Sequence, residues 1–109
     1  MEGQVRFKIR IRSKSDQSSV ADSVERTVDR LSSELACLTA LGAVSDEEEH
    51  ALRSCFAEIR RSLARVRDQR DDSVLGRSQR ATDLRACSGM ARALAADMDL
   101  AYRRLTHAA

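Results

Sequence analysis

Two histidines, three cysteines and one run of acids are the side chains of this 109-residue chain whose types can do chemistry. A histidine works as a base or ligand only when a nucleophile, a carboxylate or further ligands share its site. His50 lies beside the acidic run, off the apolar stripe of its segment, and His107 sits near the last residue. Neither has a partner that sequence spacing would bring to it, so both are expected on the surface. Cys37, Cys55 and Cys87 are odd in number and far apart, without a Cys-x-x-Cys pair. That pattern indicates neither a disulfide framework nor a zinc site. Cys87 falls in an apolar stripe, where a cysteine packs as a small hydrophobe.

Asp46, Glu47, Glu48 and Glu49 are consecutive. Neighbouring carboxylates in one helical turn point in different directions, which suits a helix start better than a cation site. Asp71 with Asp72, and Asp97 with Asp99, miss the three- or four-residue spacing that would place two acids on one helical face. No general acid-base pair, phosphate loop, His-Glu-x-x-His or Gly-x-Ser-x-Gly is present. The expectation is a protein that is not an enzyme and carries no cofactor or metal.

Arginine supplies seventeen of the nineteen cations, and two groups of them have meaningful spacing. Arg53, Arg60 and Arg67 recur every seven residues on the flank of an apolar stripe. Such a row covers apolar surface with its stems and pairs with acids of a neighbouring helix, for which Glu25 and Glu34 are candidates. The second group opens the chain. In residues 4–12 the apolar Val5, Phe7, Ile9 and Ile11 alternate with Arg6, Lys8, Arg10 and Arg12. This period of two predicts a half-buried strand with one apolar and one basic face. Residues 1–14 hold five cations against one acid, a net +4 in a chain whose total is only +2.

No other stretch alternates comparably, so the strand must find its ladder elsewhere, in a second copy or another protein's sheet edge. If two copies pair antiparallel, the four cations project from one face of a ribbon that fits the DNA major groove. This arrangement resembles the ribbon-helix-helix repressors, in which a short N-terminal strand precedes two helices. The resemblance covers residues 4–12; the helical stripes here are longer, and there is one more of them. It implies a dimeric DNA-binding regulator as the alternative to a protein-binding module.

The elements that position these groups follow from composition and period. There is no proline, there are four glycines, and Phe7, Phe56 and Tyr102 are the only aromatics. Little punctuation favours long helices. Ala21, Val24, Val28, Leu31, Leu35 and Leu38 step by three and four, as do Leu52, Phe56, Ile59, Leu63 and Val66. Leu84, Cys87, Ala91, Leu94, Met98, Ala101 and Leu105 make a third stripe, widened by Ala86, Met90, Ala93 and Leu100. Gly89, inside that stripe's helix, suggests a close neighbour.

Ser45 and Glu48 read as a capping box, and Gly42 as a helix stop. The serine-rich residues 13–18 read as a linker, with Ser18 or Ser19 as the first cap. Between the second and third stripes a break is expected near Asp71–Ser78, with Gly76 in the turn and Ser78 as cap. The alternative is one continuous helix with Arg70, Ser73, Arg77 and Arg80 in the core register, four polar layers that are costly to bury.

The predicted fold is mainly α. One domain, 1–109, comprises a strand arm 4–12, the linker, and helices 19–41, 46–70 and 79–106 in an antiparallel, coiled-coil-like three-helix bundle. The arm pairs intermolecularly. The predicted function is a non-enzymatic protein-protein interaction module: an adaptor, an assembly or secretion chaperone, or a small inhibitor. It acts through the strand face Val5, Phe7, Ile9 and Ile11 and a helical interface of Arg53, Arg60, Arg67, Met90, Leu94 and Met98. Its partner is another protein or a second copy, with nucleic acid as the alternative on Arg6, Lys8, Arg10 and Arg12. No apolar run approaches the ~18 to 20 residues that span a bilayer, and no signal-like stretch opens the chain. A cytoplasmic protein without membrane contact is expected.

Overall fold

The computed structural model describes residues 14–107, and the arm 4–12 lies outside them. The described residues form three helices, α1 (Lys14–Ala40), α2 (Asp46–Asp68) and α3 (Val74–His107), each packed on the other two. Their directions follow from contacts at the ends. Arg67, near the end of α2, meets Asp22 near the start of α1, and Arg104, near the end of α3, meets Glu48 at the start of α2. The helices therefore run up, down and up.

The three apolar stripes meet in one core. Phe56, Leu31, Leu35, Leu38, Ile59, Leu63, Leu84 and Met98 are fully buried in it. Phe56 is the one aromatic among them, so the interior is otherwise aliphatic, closed by Cys87 and small alanines on α3. Desolvation there pushes the Cys87 thiol above its ordinary value, against the opposing hydrogen bond of Ser62, and keeps it a packing group.

The α1–α2 turn follows the sequence expectation. Gly42 has φ +77°, in the left-handed region that favours glycine. The Ala43 amide donates to the Leu38 carbonyl at 2.9 Å and the Gly42 amide to that of Thr39 at 3.1 Å. This is a Schellman closure, with Ala43 buried against the core. At the next start, the Glu48 amide donates to Ser45 Oγ at 3.1 Å and the Ser45 amide to Glu48 Oε1 at 3.0 Å, a reciprocal capping box. The Ser45 amide, followed by Arg104, holds the Glu48 carboxyl below its usual 4.5. A depressed carboxyl stabilises the fold above its unfolded value and loses that contribution as pH falls through the folded one. Glu48→Gln is accordingly expected to lower the melting temperature at about pH 6 and to match the parent near about pH 3, in thermal scans read by circular dichroism.

Two boundaries depart from the sequence expectation. Residues 14–18 are helical, not a linker, so α1 starts at Lys14 rather than at a Ser18 or Ser19 cap. Serine favours turns only weakly, and here tertiary anchoring overrides it. Gln17 is buried, and its amide donates to the Arg77 carbonyl at 3.2 Å. The chain does break between the second and third stripes, but at residues 69–73, and α3 starts at Val74 rather than 79.

Ser73, not Ser78, caps α3: its Oγ accepts from the Gly76 amide at 3.1 Å, while Asp71 Oδ1 accepts from the Ser73 amide at 2.9 Å. Gly76 lies in the first helical turn instead of the loop. Its role is close approach, since a Cβ there would stand 2.5 Å from the Asp71 carbonyl oxygen. Gly89 shows the opposite, because a Cβ at that position meets nothing within 4 Å. The close neighbour expected at Gly89 is not supplied by the described residues.

Candidate functional site

The arginine row of α2 faces α1 along one seam. Arg67 Nη2 donates to Asp22 Oδ1 at 2.7 Å, its Nη1 stands 2.8 Å from Glu25 Oε1, and Arg60 Nη2 donates to Asp29 Oδ1 at 2.9 Å. Burial works against the Arg67 cation, but its bonds to Glu25 and Asp22 outweigh it and raise its affinity for the proton. Arg53 turns to Glu49 of its own helix at 2.9 Å, and Glu34, expected to serve this row, stands 3.9 Å from Arg30 instead. Arg60 and Arg67 thus make a partly exposed ionic seam between α1 and α2, which Arg53 does not join. Each such pair adds at most about 1 kcal/mol.

The remaining residues expected at a helical interface separate by depth. Met90 is at the surface, 36% exposed, whereas Leu94 and Met98 are 6% and 1% exposed. The latter two belong to the chain's own core and are not available to a partner in the folded bundle. Besides Met90, the large apolar side chains left outside among the described residues are Leu41, Val74, Leu75, Leu100 and Tyr102. Leu100 borders a cavity of about 260 Å³ between α2 and α3, with Val44, Leu52 and Ala101 as its apolar floor and Glu48, Asp97 and Arg104 around it.

At the opposite end, a polar network that sequence reasoning did not anticipate joins the starts of α1 and α3 to the loop between α2 and α3. Arg80 is 4% exposed. Its Nε donates to Gln17 Oε1 at 2.9 Å and its Nη1 to the Asp71 carbonyl at 2.6 Å, while Nη2 stands 3.8 Å from Asp72 Oδ1. Nε and Nη1 keep hydrogen-bond partners after leaving water, whereas Nη2 is buried with no hydrogen bond and has only the charge of Asp72 nearby. The signal was present: Arg80 falls in the core register of the continuous-helix alternative. Beside it lies a cleft of about 240 Å³ walled by Gln17, Ala21, Val66, Arg67, Arg70 and Arg80. Ser18 and Gln69 complete the wall, which carries cations, amides and one hydroxyl, with no carboxylate or imidazole lining it to activate that hydroxyl. Ser73 holds the Asp71 carboxyl below its usual 3.8, with Arg80 adding to the effect, so that acid stays ionised.

Among the described residues no group of three or more His, Cys, Asp or Glu could hold a metal ion. None of the described helices is long and apolar enough to cross a membrane. The two faces of the arm, Val5, Phe7, Ile9 and Ile11 on one and Arg6, Lys8, Arg10 and Arg12 on the other, lie outside the described residues. No family model, no curated protein and no solved structure matches the chain.

Proposed function

We propose that the chain is a non-enzymatic protein-protein interaction module that self-associates through its N-terminal arm. One observation carries this reading: the described residues are helices and their connections, with no strand among them. A strand over 4–12, which the alternation of apolar and basic residues predicts, would have no sheet edge to join in residues 14–107. Its backbone donors and acceptors are best satisfied by the same segment of a second copy, antiparallel, which gives a two-stranded ribbon joining two bundles. The bundles then present their outer surfaces, including the α2–α3 cavity beside Leu100, as adaptors and assembly chaperones do.

The experiment is a mass measurement by light scattering on the full chain and on Phe7→Asp. The parent is expected as a dimer and the variant as a monomer with unchanged helical circular dichroism, because a charge on the apolar face breaks the ribbon and leaves the helices alone. Equal mass for the two proteins would overturn the reading. Salt-sensitive capture of duplex DNA by the dimer, lost when Arg6, Lys8, Arg10 and Arg12 become alanine, would transfer the function to the regulator alternative.

A further inference from the structure

Val74 and Leu75 are adjacent, at the start of α3, and 75% and 81% exposed. In a bundle that buries its other stripes, they form an apolar step at one corner. That corner is also where the arm enters. Gln17, in the first turn of α1, donates to the Arg77 carbonyl, one helical turn beyond Val74. Residues 9–11 lie three to five positions before Lys14, an extended reach of roughly 10 to 17 Å. Ile9 and Ile11 can therefore arrive at Val74 and Leu75 without strain in the connection. A tether this short gives an effective concentration on the order of millimolar, which makes a small contact area sufficient.

Charge is balanced at this corner, with Asp68, Asp71 and Asp72 against Arg70, Arg77 and Arg80 and with Arg80 Nη2 3.8 Å from Asp72 Oδ1, so the seat is the apolar step itself.

We infer that Val74 and Leu75 are the seat of this chain's own arm, with the apolar face of residues 4–12 laid on them. This contact uses the face of the extended segment, whereas pairing with a second copy uses its edge. It therefore stands beside the proposed self-association and has a separate readout.

The test places a nitroxide on the arm through Arg10→Cys, with Cys37 and Cys55 changed to serine, and records methyl spectra of the full chain. The Val74 and Leu75 methyls are expected to broaden beyond detection while those of Leu41, at the other end of α1, stay sharp. In the same background Val74→Ser with Leu75→Ser, both at exposed positions, is expected to remove the label's broadening of the backbone amides at positions 74 and 75, with circular dichroism unchanged. Sharp Val74 and Leu75 methyls in the spin-labelled parent would overturn the inference. So would broadening that appears only when label and observed methyls are on different molecules, since the seat would then hold the partner's arm. Broadening in a protein that light scattering finds monomeric would keep this contact and remove the pairing.

Discussion

Phe56→Ala is expected to lower the unfolding free energy by about 3 to 5 kcal/mol, the range for deleting a buried aromatic and leaving its cavity. A domain of this size has about 5 to 15 kcal/mol in total, so the loss is a third or more of the margin. The reason is compositional. Phe56 is the largest fully buried side chain, and the core around it is aliphatic. The α3 contribution to that core includes the small Ala91 and Ala101, which add little bulk to refill the space. Urea unfolding monitored by circular dichroism reads the effect. A shift below about 1 kcal/mol, the size of an ordinary surface change, would mean that the helices do not pack around this residue.

Arg80→Met is expected to cost about 2 to 4 kcal/mol, because it strands the Gln17 Oε1 and Asp71 carbonyl acceptors that now receive Nε and Nη1. The effect comes from the orphaned partners more than from the lost charge, and that distinction is measurable. Adding Gln17→Leu removes one of the stranded acceptors and is expected to recover part of the loss, so the two substitutions couple by more than about 0.5 kcal/mol. Strict additivity in urea unfolding of the single and double variants would show that Arg80 and Gln17 act independently and that the corner is not one network.

The helices were legible because their evidence repeats. Stepping by three and four through Val24, Val28, Leu31 and Leu35 gives several independent votes for one face, and those residues are buried as the period requires. The capping box at Ser45 and the stop at Gly42 are local, so their geometry depends on few distant groups. The boundaries that moved depend on distant groups. Residues 14–18 look like a linker by composition, yet Gln17 reaches a carbonyl sixty positions away, and nothing within five residues of it encodes that bond.

Composition alone suggests a turn glycine at Gly76, whereas its missing side chain makes room for the Asp71 carbonyl. The period also located Leu94 and Met98 correctly on an apolar stripe without saying whether that stripe faces the chain's own core or a partner. Three stripes of matching length close on one another, and that closure assigned them to the core. Of the expected site, the α2 arginines were legible as an ionic row, although Glu25 serves it and Glu34 does not.

In the proposed dimer the arm of one molecule lies against the arm of another. The most direct measurement is an isotope-filtered nuclear Overhauser experiment on a sample mixed from labelled and unlabelled chains, which records only contacts between molecules. Cross-peaks between residues 5–11 of one copy and residues 5–11 of its partner, in an antiparallel order, are predicted. A mixed sample at the same concentration with intermolecular cross-peaks nowhere in this segment would contradict the account.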